Sequence, residues 1–229
     1  MQGAFEAIDC GQDGIFENPS YIRNGQRLQT LWVNSFGILH YTRISYCTLG
    51  HFGVGIANFG NEFYRETEFL LGYSRLKGRT KLGVSMRGMN LYVKGYEVDF
   101  SIGTDFGVSF YSTSSFKVNI ALHNINFPKI RNEEIPQRII GGFIAELTPK
   151  VTAGVQFYKE SMYPIEIRIR NKIKISELMD FSIGIKTYPF AFTLGVLFTY
   201  KRVSSSYFIR THETLGLTHI IGIEITYVE

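Results

Sequence analysis

The sequence predicts an all-β protein: a single transmembrane, antiparallel, up-and-down β-barrel of about 14 strands with a short N-terminal plug segment. Three observations predict it. First, residues 165–175 alternate almost without a break, with Ile165, Ile167, Ile169, Ile173 and Ile175 against Glu166, Arg168, Arg170, Lys172 and Lys174. A strand sends successive side chains to opposite faces, so one face is apolar and the other ionic. Second, the same alternation recurs along most of the chain, in a composition of 19 Phe, 14 Tyr and 23 Gly against only 6 Pro, which favours strands over helices. Third, short and long links between these runs take turns. So many long strands in an open sheet would leave exposed edges, and closure into a barrel removes them.

The elements follow in order. Residues 1–26 are small, polar and Gly-dotted without a strand period, and are read as a plug, with the barrel over 27–229. Residues 28–49 are read as two strands with mixed faces, since Ile38, His40, Thr42, Ile44 and Tyr46 alternate with Leu39, Tyr41, Arg43, Ser45 and Cys47. Gly53 and Gly55 fall on the small, lumen-facing side of the next strand. Leu82, Val84 and Met86 then oppose Gly83, Ser85 and Arg87. Phe100, Ile102, Phe106, Val108 and Phe110 oppose Ser101, Gly103, Asp105, Gly107 and Ser109. Val118, Ile120 and Leu122 oppose Lys117, Asn119 and His123, and Val151, Ala153, Val155 and Phe157 oppose Thr152, Gly154, Gln156 and Tyr158. Phe181, Ile183 and Ile185 oppose Asp180, Ser182, Gly184 and Lys186. Phe192, Leu194, Val196 and Phe198 oppose Thr193, Gly195 and Leu197. Last, His219, Ile221, Ile223, Ile225 and Tyr227 share a face opposite Gly222, Glu224 and Thr226. Short links are expected at 76–79, 112–115, 148–150 and 176–178, and long ones at 89–97, 125–138, 159–164 and 211–218. In strict rotation these give one tight, periplasmic rim carrying both termini and one looser rim.

A Lys or Arg on the lipid face at mid-bilayer costs about 2–4 kcal/mol, so the charged faces must line the lumen. The lumen candidates are Arg87, Asp99, Asp105, His123, Glu146, Glu166, Arg168, Arg170 and Arg210, accompanied by Glu66, Glu68, Asp180, Lys186, His212 and Glu224. Arg168 and Arg170 share one strand face, and their guanidinium forks suit an anionic head group. The alternative is a mutually paired ionic network that fills the barrel, which the mixture of signs favours. Tyr64, Tyr111, Tyr163, Tyr188, Tyr200, Tyr207 and Tyr227 lie near strand ends and are candidates for interfacial girdles.

Other classes are argued against. The five histidines form no metal-ligand spacing, and no phosphate-binding or nucleophile motif occurs, so neither metal, cofactor nor enzymatic activity is expected. A net charge of +4 without a Lys/Arg cluster gives no nucleic-acid footprint. Cys10 and Cys47 form no disulfide framework. Residues 1–5 do not read as a signal peptide, so the leader of an exported protein is expected to have been removed or left out.

The segment Gly14-Ile15-Phe16-Glu17-Asn18-Pro19-Ser20-Tyr21-Ile22 resembles the Asn-Pro-Ala signature near the mature N-terminus of FadL-like outer-membrane barrels, including the PorV/PorQ group. Asn18, Pro19 and Ser20 stand on that motif, with Ser20 where Ala is usual. Residues 59–66, Lys81 to Ser85 followed by Gly95, Tyr96 and Asp99, then 122–124 and 136–142, resemble later elements of PorV-like proteins in the same order. Residues 222–227 resemble a terminal outer-membrane assembly signal, departing from it by Val228 and Glu229. The resemblance implies a bacterial outer-membrane location, an N-terminal plug in the lumen, and no catalysis. It implies type IX-type secretion with cargo anchoring as the role, or else passive passage of hydrophobic or small amphipathic molecules. Expected partners are outer-membrane lipid and either secretion-system components or hydrophobic small molecules, with no nucleic acid. A soluble lipocalin-like carrier is the third reading, and it requires the opposite sidedness.

Overall fold

The computed structural model describes residues 14–22, 26–48, 51–96, 98–212 and 216–228. Cys10, the rest of 1–13 and the last residue lie outside the described residues. Beyond a helical turn at Gly14–Glu17 (α1) and a 3-10 turn at Pro19–Tyr21, the described chain is strand and link.

The strands are β1 Gln26–Ser35, β2 Leu39–Cys47, β3 Phe52–Gly60, β4 Tyr64–Lys77, β5 Thr80–Val93, β6 Asp99–Tyr111, β7 Phe116–His123, a small hairpin of β8 Lys129–Ile130 and β9 Glu133–Glu134, then β10 Arg138–Thr148, β11 Val151–Glu160, β12 Glu166–Lys174, β13 Met179–Thr187, β14 Phe190–Tyr200, β15 Val203–His212 and β16 Gly216–Val228. All but β8 and β9 join one closed barrel of 14 antiparallel strands, each paired with its neighbour in sequence. Closure runs from Gln26 opposite Val228 to Ser35 opposite Thr218, so no edge is left open. With an even strand number, the start of β1 and the end of β16 share one rim, here the near rim.

The alternation sorts the two faces as the sequence predicts. Outward positions carry Phe69, Ile102, Ile139, Ile169, Leu194 and Ile221, each between 39% and 52% exposed. The residues between them turn inward, and Arg87 and Asp105 are only 2% and 1% exposed. An apolar exterior around a buried ionic interior is the sidedness of a bilayer-spanning barrel. It is the reverse of what a lipocalin-like carrier needs, so that reading falls.

Two expectations are corrected. The links do not alternate strictly in length. Turns at 36–38, 61–63 and 188–189 are as tight on the far rim as those on the near rim. The expected long link at 89–97 shrinks because β5 continues through Asn90 and Tyr92 to Val93, paired to β4 along its whole length. Only 124–137 stays long. It covers ground that β7 vacates: β6 pairs with β7 only from Phe106 to Tyr111, and beyond that the side chain of Asn126 accepts from the Thr104 amide and donates to the Ile102 carbonyl, both at 2.8 Å. The second correction concerns aromatics. Tyr64 and Tyr111 point inward, in the same parity as Glu66 and Ser109, and are not girdle residues. Tyr163 lies on the 161–165 link and Tyr207 at mid-strand against His219. Tyr200 and Tyr227 remain at the exposed outer ends of strands, and Tyr188 is exposed on the 188–189 turn beside them.

Candidate functional site: a plugged, ion-lined lumen

The plug is built from local chemistry. Asn18 is extended (φ −152°, ψ 115°) and caps the 3-10 turn that Pro19 opens: its Oδ1 accepts from the Ser20 amide at 2.9 Å and from Ser20 Oγ at 2.7 Å. Its Nδ2 donates to the Ile120 carbonyl at 3.2 Å. Ser20 Oγ also lies 2.6 Å from Ser109 Oγ on the wall. Ser20 is thus more than a small residue in the motif, since its hydroxyl makes bonds that Ala cannot. The Ile22 carbonyl accepts from Ser74 Oγ at 3.2 Å and from Lys81 Nζ. Ile15, Phe16 and Ile22 pack with Cys47, Ala57 and Leu70.

The wall makes room for it with glycine. Inward positions 53 and 55 on β3, 72 on β4, 83 on β5 and 107 on β6 all lack a side chain where the plug presses. A Cβ on Gly83 would lie 2.2 Å from the Pro19 carbonyl carbon, and one on Gly107 2.0 Å from Asn18 Oδ1. These five glycines form a cradle across four adjacent strands.

Above the cradle lies a buried ion cluster. Arg87 Nη1 contacts Glu68 Oε2 at 2.6 Å, and its Nη2 contacts Asp105 Oδ2 at 3.0 Å. Nη2 also donates to the Phe16 carbonyl at 3.1 Å. His123 Nε2 lies 2.8 Å from the Glu17 carbonyl and donates to it, while Nδ1 sits 3.3 Å from Asp105. Asp105 accepts in addition from Ser85 Oγ and the Asn124 amide, both at 3.1 Å. Strands β4 to β7 and the plug are therefore joined through one arginine.

Across the lumen, β11 to β13 carry a second group. Glu166 contacts Arg168 directly and Lys186 at 3.8 Å, and Tyr158 donates to Glu160 at 2.9 Å. Between this wall and the plug is a cavity of about 410 Å³, lined among others by Glu17, Tyr21, Lys117, Glu146, Gln156, Arg168, Arg170 and Lys172. The remaining sector, β14 to β2, is mixed: Leu31, Val33, Leu197, Phe208 and Ile220 cluster inward, and beside them Glu224 accepts from Gln29 at 2.6 Å and from Arg27 at 3.2 Å, with Arg43 and Arg210 also buried. The Phe208 ring lies over Gly195, where a Cβ would meet it at 1.9 Å.

The predicted residues thus fall into distinct places. Arg87, Asp105 and His123 come together. Glu166, Arg168 and Arg170 stand on the facing wall. Arg210 is buried on β15, opposite Thr193 and Thr218. Glu146 is exposed at the near-rim mouth of the cavity. Asp99 is no lumen group: at the far-rim end of β6 its carboxylate accepts from the Arg131 amide of the long link and from the Phe100 amide. Sequence reasoning did not single out Glu17, Arg43, Lys81, Lys117, Arg138 or Glu160. For the strand residues the signal is present as parity: Lys81 precedes Gly83 by two, and Glu160 follows Tyr158 by two.

No family model and no curated protein matches the sequence. Solved structures match its fold. The toluene transporter TodX of Pseudomonas putida aligns with TM-score 0.67 at 10% identity, over 93% of this chain and 92% of that one. The toluene transporter TbuX of Ralstonia pickettii aligns with TM-score 0.66 at 11% identity, over 99% and 96%. The outer membrane protein Omp33 of Acinetobacter baumannii aligns with TM-score 0.59 at 5% identity, over 90% and 99%. TodX and TbuX are FadL-family barrels of 14 strands. At these identities the likeness is one of fold, and the PorV/PorQ-like half of the resemblance gains no support from it.

Proposed function

We propose that the protein is a bacterial outer-membrane transporter that passes small molecules through a plugged 14-stranded barrel, and that it performs no catalysis. The observation that carries this reading is the plug itself. Residues 14–22 are seated in a cradle of inward glycines, with a cavity kept beside them inside a wall whose outer surface is apolar. A barrel serving only as an anchor has no need of a polar lumen with spare volume. The likeness to TodX and TbuX, both toluene transporters, supports passage of small molecules, and the likeness to Omp33 supports the outer membrane as the location. Cargo anchoring in secretion, the other reading, needs a docking surface at the far rim. There the described links are mostly turns of a few residues, and 124–137 is tied down onto β6. Transport is therefore the better supported of the two.

The test is reconstitution of the full chain into liposomes, with solute entry followed by swelling for a panel of small polar and amphipathic molecules. Entry above that of protein-free liposomes is the expected result. Liposomes containing correctly folded barrel, shown by heat-modifiable gel migration, that admit none of the panel would overturn the reading.

A further inference from the structure

The lining of the cavity beside the plug is richer in cations than in carboxylates. We propose that it binds a small organic anion, gripping carboxylate or phosphate oxygens with Lys117, Arg170 and Lys172. This rests on the transporter reading and names the substrate class for that lumen. Arg168, Arg170 and Lys172 stand at every second position of β12, hence about 6–7 Å apart along one wall. Lys117 faces them from β7, its Nζ 4.1 Å from the Tyr21 ring centroid and 5.3 Å from that of Tyr111. The lining carries these cations and Lys81 against two carboxylates, Glu17 and Glu146. Carboxylates also reach the cations from behind the lining, among them Glu166 on Arg168 and Asp180 at 3.6 Å from Lys172.

Position and size agree with a ligand site. Tyr111, Lys117, Glu146, Thr152 and Lys172 lie at near-rim strand ends, so the mouth opens there, and the floor reaches Gln156 and Arg168 at mid-strand. Thr152 and Gln156 add neutral hydrogen-bonding groups. A volume of about 410 Å³ falls in the range of pockets that enclose metabolite-sized ligands. Glu17 and Tyr21 place the plug on the cavity wall, so an occupant touches it.

The experiment is titration calorimetry on the full chain in detergent, with citrate and inorganic phosphate as probes and glycerol as an uncharged control. Saturable binding of citrate or phosphate, and none of glycerol, is expected. Affinity should fall at least tenfold in Arg170→Gln combined with Lys117→Gln, and measurably in Lys172→Gln, a variant at the half-exposed mouth that keeps the barrel folded if the pair does not. Lys77→Gln, on the outer face, should bind as the parent does. Binding of neither anion, or equal binding by parent and mouth variants, overturns the site. The liposome assay separates the two readings: solute entry without anion binding sinks this site and leaves the transporter, while anion binding without entry does the reverse.

Discussion

Arg87 bonds at once to β4 through Glu68, to β6 through Asp105 and to the plug through the Phe16 carbonyl, at 2% exposure. A fully buried Asp105 and a mostly buried Glu68 are tolerable because one guanidinium fork answers both. Arg87→Ala strands them, and breaking a buried pair this way costs about 3–5 kcal/mol. The expected result is a clear fall in the urea midpoint of the reconstituted barrel. A midpoint within error of the parent would show that the cluster carries no such weight. Arg87→Lys should recover only part of the loss, since a point ammonium cannot span the same acceptors. At this scale the sequence was readable in part. Arg87, Asp105 and His123 each announce themselves as a charged or polar inward residue among apolar outward ones. Their convergence does not, because it depends on register between strands up to 36 residues apart. Asp99 shares their parity, yet it sits past the end of β7, where the wall gives way to the 124–137 link.

Along the elements, the cradle decides whether the plug stays. Pro19 and Ser20 touch Gly83 with backbone atoms, at 2.2 and 2.3 Å from an added Cβ, whereas Gly53 meets the flexible end of Ile15. A side chain tip can swing away and a backbone cannot. Gly83→Ala should therefore loosen the plug, read as faster protease cleavage near residues 14–22 and as greater solute entry into liposomes. Gly53→Ala should change both much less. Equal effects at the two positions would show that contact with plug backbone is not what matters. Glycines at 53 and 55 were readable as lumen-side residues from strand parity. That five of them form one bed was not, since it requires knowing which faces of β3 to β6 meet the same segment. Parity fails in another way at strand ends. Tyr64 and Tyr111 lie near links, as girdle residues do, but they continue the inward series.

For the whole molecule, the apolar exterior is the claim on which location and function depend, and depth is what makes it testable. On β14, Phe192, Leu194, Val196 and Phe198 face out along the strand, and Tyr200 closes it at the near rim, 63% exposed. A charged side chain at the bilayer midplane costs about 2–4 kcal/mol, falling to about 0–1 kcal/mol at the interface, where it reaches water and head groups. Leu194→Arg should then destabilise the folded barrel by about 2–4 kcal/mol in lipid, with poorer assembly into vesicles, while Tyr200→Arg should cost under about 1 kcal/mol. Refolding yield and urea titration in vesicles measure both. In a water-facing wall the two exposed positions would accept arginine alike, so a pair of equal, small effects would remove the bilayer from the account. A steep difference ties the belt to lipid, because no soluble sheet distinguishes the middle of an exposed face from its end in this way.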